Sequence, residues 1–262
     1  MITDTLSNEA YHARPEISSS DVKSAAKSLA HWKGAVRGSS AALEIGTAFH
    51  DLVLEPQHNR VICGPETRRG NAWKDAKAEA DAAGKTLLTE NEYYMVNNMA
   101  ESCLRNPRIR GLVQADDAMI EHSIFVTCPE TGLELKCRPD CYVPSKQVCL
   151  DLKSTVDAGP HRGEFEKQVF SLKYDLQGAF YAYVCKLAGL PVAYFAFAAV
   201  EKTPPYATCL HLLSGDLMEH AHKKMMNILR RIKKAQDEGV YPTDWPEFNM
   251  IHLPEWMKLQ DE

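Results

Sequence analysis

No stretch of this 262-residue chain is apolar for long enough to span a bilayer, and its start, Met1-Ile2-Thr3-Asp4, shows neither the basic nor the apolar region of an export signal. The expectation is a cytoplasmic protein with no membrane partner. An excess of positive charge is also missing: 30 Lys and Arg against 35 Asp and Glu leave a net charge of −5. Any contact with a polyanion therefore needs a local basic strip on an acidic body. The eight cysteines include no CxxC pair, and in a reducing compartment they are expected to be free thiols. Cys137, Cys141 and Cys149 crowd one region, which suggests either zinc or, as the favoured reading, small apolar residues filling strand positions. There is no internal repeat and no low-complexity tract.

With 45% hydrophobic and 25% charged residues, the composition is that of an ordinary globular protein large enough for a substantial core. One domain over 1–262 is expected, with a helical part (about 1–115) packed on an α/β part (about 116–262). Ser18 to Asp21 reads as the capped start of a helix running to Trp32, and Gly38-Ser39-Ser40 as a linker. Ala41 to Leu54 reads as a second helix and Asn71 to Ala83 as a third. Thr89 with Glu92 is a capping box opening a helix to Arg105. Met119 to Thr127 and Leu133 to Val143 alternate as strands around a turn at Pro129 to Gly132. Pro144-Ser145-Lys146 then turns the chain into a strand from Gln147 to Thr155. A helix from Tyr174 to Leu187, strands at Val192 to Val200 and Thr208 to Leu213, and a long amphipathic helix from Leu217 to Gln236 follow. The tail from Tyr241 to Trp256 is an irregular cover.

The triplet acid-x-Lys occurs at Asp21/Lys23, Asp75/Lys77, Glu134/Lys136 and Asp151/Lys153, as expected in so charged a chain, so the triplet alone carries no weight. Context distinguishes the Asp151 copy. Strand alternation puts Glu134, Lys136, Arg138 and Asp140 on one face, and Asp151 with Lys153 on another, leaving Leu150 and Leu152 for the core. A hairpin through Pro144 would bring Asp140 beside Asp151. Paired carboxylates suit a hard divalent cation, which polarises a phosphate and lowers the pKa of a bound water; Lys153 would orient that water or offset transition-state charge. The alternative is a surface hairpin with alternating charges. In Gly46-Thr47-Ala48-Phe49-His50 the glycine permits close approach, and His50 is either a further ligand or a core histidine. Gln177 and Tyr181 share one helical face, toward phosphates and bases or as an aromatic stripe in the core.

The order GxxxH, Asp, DLK, QxxxY resembles the RecB-type branch of the PD-(D/E)XK nuclease superfamily. Further segments, Ile17 to Ser20, Ser28 to Trp32, Gly46 to Pro56, Ala83 to Thr89, Lys136 to Asp140, Asp151 to Thr155 and Tyr174 to Tyr181, are similar to the RecE-like exonuclease (exodeoxyribonuclease VIII) domain of phages and prophages. Any one motif is weak; the joint order and spacing are specific and cover most of the chain. The resemblance implies an α/β fold with a restriction-endonuclease-like core, a central mixed sheet flanked by helices. It implies that Asp140, Asp151 and the Leu152 carbonyl bind metal with His50 nearby, that Lys153 is catalytic, and that Gln177 and Tyr181 are accessory. It further implies a Mg²⁺-dependent 5′-to-3′ exonuclease on double-stranded DNA, with Mn²⁺ as a substitute. Such an enzyme leaves 3′ single-stranded tails for a RecT-like annealing protein, and works as a ring-shaped homo-oligomer, often a tetramer, in a bacterial host. The chain is expected to be essentially the nuclease domain, without the long N-terminal extension that some relatives carry, and it shows no cysteine beyond Cys209, which argues against the iron–sulfur variety. Rival readings are an endonuclease or single-strand-preferring nuclease of the same superfamily, or an idle DNA-binding subunit. For the DNA path, Arg68, Arg69 and Lys74 form a basic loop-to-helix start, and Lys167 and Lys173 flank the accessory helix; they are phosphate contacts or ordinary solvated cations.

Overall fold

A computed structural model describes residues 1–36, 38, 40–160 and 163–253. In chain order the elements are β1 (Ile2–Thr3), α1 (Asn8–Ala13), α2 (Ser19–Ala25), α3 (Leu29–Lys33), α4 (Ala41–Leu54), β2 (Val61–Cys63), α5 (Gly70–Ala82), β3 (Thr86–Leu88), α6 (Glu90–Arg105) and α7 (Pro107–Val113). They continue with β4 (Met119–Ile120), β5 (Ser123–Thr127), β6 (Glu134–Cys137), β7 (Cys141–Val143), β8 (Val148–Thr155), α8 (Glu164–Ser171), α9 (Tyr174–Leu187), β9 (Tyr194–Glu201), β10 (Thr208–Leu212) and α10 (Gly215–Glu238). The expected helices at 41–54, 89–105 and 174–187 stand where their caps and periodicity put them. Thr89 and Glu92 form the reciprocal capping box.

The helix expected from Ser18 to Trp32 is two. Ser18 and Asp21 cap α2, but the Ser28 hydroxyl accepts the His31 N–H and starts α3, so the chain turns between them. Pro107 opens a helix rather than only ending one, because Asn106 caps the Arg108 and Ile109 N–H groups and proline at the first helical position lacks the orphan donor. The Tyr241 to Trp256 cover is described as far as residue 253; Trp256, like Ser39 of the linker, lies outside the described residues.

The central sheet is mixed, in the order β10-β9-β8-β7-β4, with β8 and β9 parallel and the other pairs antiparallel. Its two middle strands are buried on both faces, which is why β9 reads as an almost unbroken apolar run. Leu150, Leu152, Ala196, Ala198 and Val200 face the helical layer made by α4, α6 and α7. Cys149, Phe195, Phe197 and Ala199 face the other way, toward α8 and α9. A smaller antiparallel sheet, β1-β5-β6, joins α2, α9 and α10 in a second core, and β2 and β3 form a parallel pair. Cys137, Cys141 and Cys149 are buried in these cores, as small apolar strand residues would be.

Two expected strands are each broken in the middle, and the breaks coincide. The register runs Met119↔Tyr142 and Ile120↔Cys141 in the central sheet and resumes at Ile124↔Cys137 in the small one without a slip. Glu121 therefore stands opposite Asp140, its N–H donating to the Asp140 carbonyl at 3.2 Å, with its own backbone in the left-handed region at φ 51°. Of the residues expected on one face with Asp140, Lys136 and Arg138 both lie against the Tyr11 ring, at 4.9 Å and 4.3 Å. Glu134 is exposed, whereas Lys136 is 1% exposed and donates to the carbonyls of Tyr11 (2.8 Å) and Arg14 (2.5 Å). Arg138 donates to Ser123 Oγ and the Leu6 carbonyl, so both cations hold the N-terminal segment rather than facing Asp151.

On α9, Gly178 lies against β9: a Cβ there would come 2.8 Å from Leu213 Cδ1 and 3.2 Å from Phe195 Cδ1. Gly178→Val should push α9 off the sheet and cost about 1–3 kcal/mol, measured as a lowered midpoint in urea unfolding.

Candidate active site

The break between the two sheets creates the site. Cys141↔Leu150 is the last pair of the β7–β8 ladder, so Asp140 lies next to Asp151 on one side and opposite Glu121 on the other. Where the ladder has ended, the Asp140 side chain accepts the Leu152 N–H through Oδ2 at 2.6 Å, which fixes its orientation from the backbone of β8. Asp151 and Lys153, two apart on β8, form an ion pair through Asp151 Oδ2. Asp151 Oδ1 accepts from Gln177 Nε2 of α9 at 2.6 Å. Asp151 is 1% exposed and Asp140 6%.

His50 reaches the site from α4, the helix packed on the opposite face of the sheet through Phe49 and Ala48. Its Nε2 lies 3.2 Å from the Leu152 carbonyl. A carbonyl only accepts, so Nε2 carries a proton and Nδ1 faces the acids, 3.5 Å from Asp140 Oδ2 and 3.9 Å from Glu121 Oε1. The ligand atoms of His50, Glu121 and Asp140 lie within 4.8 Å of one another. Gly46 does not serve a close approach, since a Cβ there would meet nothing within 4 Å; it lines the open cleft instead.

The charges are mutually dependent. Burial, reinforced by Asp151 and Glu121 and opposed by His50, pushes the Asp140 carboxyl up to about 7. For His50 burial acts downward, but the Asp140 and Glu121 carboxylates outweigh it and raise the imidazole to about 9. Lys153 is likewise penalised by burial and still raised, by Asp151 and then Asp140, so its ammonium persists at neutral pH. The rings of Tyr174 and Phe197 lie 4.7 Å and 5.7 Å from its Nζ.

Not every expected residue joins the cluster. The acids brought together with His50 are Asp140 and Glu121; Asp151 is turned toward Lys153 and Gln177. Tyr181 lines the same cleft as His50, Asp140 and Lys153, with its ring edge on Phe195. Of the basic residues expected along a DNA path, Arg68 is committed elsewhere: it ion-pairs with Glu44 of α4 and Glu92 of α6 and lies over Trp73 of α5, tying three helices together. Arg69 precedes α5 and Lys74 lies on it, both exposed; Lys173 precedes α9 in a left-handed conformation and Lys167 pairs with Glu164. None of these five lines the cleft. Glu121 escaped sequence reading because it sits inside an alternating segment. Pairing that segment with Leu133 to Val143 around the Pro129 to Gly132 turn would have set it against Asp140.

The donor set fits a divalent metal. Carboxylate oxygens with one imidazole nitrogen suit a hard or borderline cation. Asp151 Oδ2 is buried and has no hydrogen bond, only the ion pair with Lys153.

A mixed sheet flanked by helices on both faces, carrying paired acids and a lysine on adjacent strands, defines a PD-(D/E)XK-like domain. Residues 18–252 match the family described as PDDEXK-like domain of unknown function (DUF3799), and the chain belongs to it. Among solved structures, a candidate exonuclease from Eubacterium rectale is 15% identical, with a TM-score of 0.63 over 98% of each chain, a likeness of fold. A phage-related exonuclease from Haemophilus somnus 129PT is 13% identical over 73% of this chain and 94% of that one; its TM-score of 0.35 carries no argument. No curated protein matches the chain. No helix among the described residues is long and apolar enough to cross a membrane.

Glu121→Gln should weaken Mn²⁺ binding by at least about 10-fold while the protein stays folded, read by isothermal titration calorimetry with circular dichroism as the control.

Proposed function

We propose that this chain is a divalent-metal-dependent deoxyribonuclease that digests duplex DNA from an end. The observation that carries this reading is the meeting of Asp140, His50 and Lys153 in the wall of one open cleft of about 1370 Å³, with Asp151 buried behind Lys153. Family membership agrees with it, and so does the exonuclease description of the Eubacterium rectale relative.

Asp140, Glu121 and His50 Nδ1, once its proton is displaced, would hold the metal, Mg²⁺ in the cell with Mn²⁺ as substitute; Asp151 lies beside Asp140 on the next strand, and the Leu152 carbonyl, expected as a further ligand, is engaged by His50 Nε2. When bound, the metal supplies an acidified water and neutralises charge on the phosphate. The residues of the chain do the rest. The Leu152 N–H keeps Asp140 aimed at the cleft, and the Leu152 carbonyl holds the His50 ring so that Nδ1 faces the acids. Lys153, held charged by Asp151, is suited to offset the growing negative charge as water attacks phosphorus and the bond to the leaving oxygen breaks; a charged ammonium is not the base that takes the water's proton. Gln177 holds Asp151, and Tyr174 and Tyr181 line the wall against which a strand would lie.

The polarity, 5′ to 3′, the 3′ tails left for a RecT-like annealing protein, the ring-shaped homo-oligomer and the setting of phage-type recombination belong to the same proposal. Of the cations that line the cleft, Arg60 is engaged by Asp51 and Glu55. Neighbouring copies would complete the phosphate path.

With Mg²⁺, end-labelled linear duplex should be digested, the 5′ label released first, and covalently closed circles left intact; chelation should stop the reaction. Lys153→Ala should lower the rate by about 100-fold or more. Cutting of closed circles would point to an endonuclease. Equal activity of wild type and Lys153→Ala would exclude this site as the catalytic one.

A further inference from the structure

One of the acid-x-Lys triplets without sequence significance ends at the site by another route. Lys23, on α2, sends its ammonium to the side-chain carbonyl of Gln177 at 2.7 Å, 154 positions away in the chain. Gln177 Nε2 then donates to Asp151 Oδ1 at 2.6 Å. The Tyr174 ring lies against both lysines, 5.0 Å from Lys23 Nζ and 4.7 Å from Lys153 Nζ.

The chemistry of the three groups orders this chain of contacts in one direction only. An ammonium has donors and no acceptor, so it takes the oxygen end of the Gln177 amide. A carboxylate has acceptors and no donor, so it takes the nitrogen end. Lys23 and Asp151 thereby impose the same orientation on an amide that could otherwise rotate, and with Asp151 Oδ1 held, Oδ2 is left for Lys153. Lys23 also pays for its position: burial, with Lys153 nearby, lowers its pKa to about 8, against the pull of Asp151 and Asp175. A lysine kept at such a cost, with its ammonium on a side chain rather than in water, is poorly explained as part of a solvated helix face.

We infer that Lys23 is a positioning residue of the active site, which sets the Asp151 carboxylate through Gln177 without touching substrate. The inference rests on the proposed nuclease reading and extends the site to α2, an element outside the sheet. Partners one step removed from metal ligands, as Gln177 is from Asp151, typically change affinity or activity by 10- to 100-fold when lost, and Lys23, one step further out, is expected at the lower end.

The test is a double-mutant cycle of Lys23→Met and Gln177→Leu, each variant checked by circular dichroism and thermal melting, with Mn²⁺ affinity and steady-state cleavage of linear duplex as separate readouts. Lys23→Met should weaken Mn²⁺ binding and lower kcat by about 10-fold, with KM for DNA unchanged. In the Gln177→Leu background it should have no further effect, because the route to Asp151 is already cut. Full additivity of the two substitutions would overturn the inference, as would a raised KM with unchanged kcat, which would make Lys23 a substrate contact. Unchanged Mn²⁺ affinity and kcat in Lys23→Met, with an active wild type, would overturn it as well. A wild type that binds no Mn²⁺ and cuts no DNA would instead sink the nuclease reading.

Discussion

Like charge is the constraint on which the rest of this structure depends. Glu121, Asp140 and Asp151 stand side by side across adjacent strands, two of them buried, and such a row is stable only if cations and donors are built around it. The surrounding residues meet this demand one by one. His50 faces Asp140 and Glu121, Lys153 pairs with Asp151, the Leu152 N–H satisfies Asp140, and Gln177 satisfies Asp151. Each comes from a different direction: α4 from one face of the sheet, β8 from within it, α9 from the other face. The fold thus encloses a concentration of negative charge, and that same concentration suits the divalent cation of the proposed function.

The broken ladder is the means of enclosing it. A regular hairpin would have buried its inward residues against a neighbouring layer, with no room for water or substrate. By passing from one sheet to another at Glu121 and at Arg138 to Asp140, the two strands open a gap at the acids without losing register. Lys136 and Arg138 then use their charge on the main-chain carbonyls of the N-terminal segment, making it a wall of the cleft. Arg68 serves helix packing instead, between Glu44 and Glu92.

The parts of the fold legible in the sequence were those governed by local rules. The capping box at Thr89 and Glu92, the period of α9 and the apolar run of β9 are determined within a few residues of themselves, and their positions could be read directly. The short elements went unread: α1, α7 and α8, and the strands β1, β2 and β3, have six to eight or two to three residues, too few for a period to show, although the Ser7 and Asn106 caps of α1 and α7 are local signals. The sheet switch was hidden because alternation continues through it, and a period of two does not reveal which sheet a residue belongs to. Sequence separation hid Lys23 and Glu121 in the same way.

By itself, then, the sequence determined which residues share a face of β8, since Asp151 and Lys153 must lie opposite Leu150 and Leu152 on any strand. It determined the three long helices that carry His50, the capping box and Gln177, because caps and periodicity act over a single turn or a few. Only the tertiary structure decided that Glu121 joins Asp140 and His50 in the cluster while Asp151 turns to Lys153 and Gln177. It alone committed Arg68 to holding helices and brought Lys23 to Gln177. The reason is physical: a side chain's partner depends on which surfaces meet, and in this protein the meetings range from Arg68 with Glu92, 24 residues apart, to Lys23 with Gln177, 154 apart.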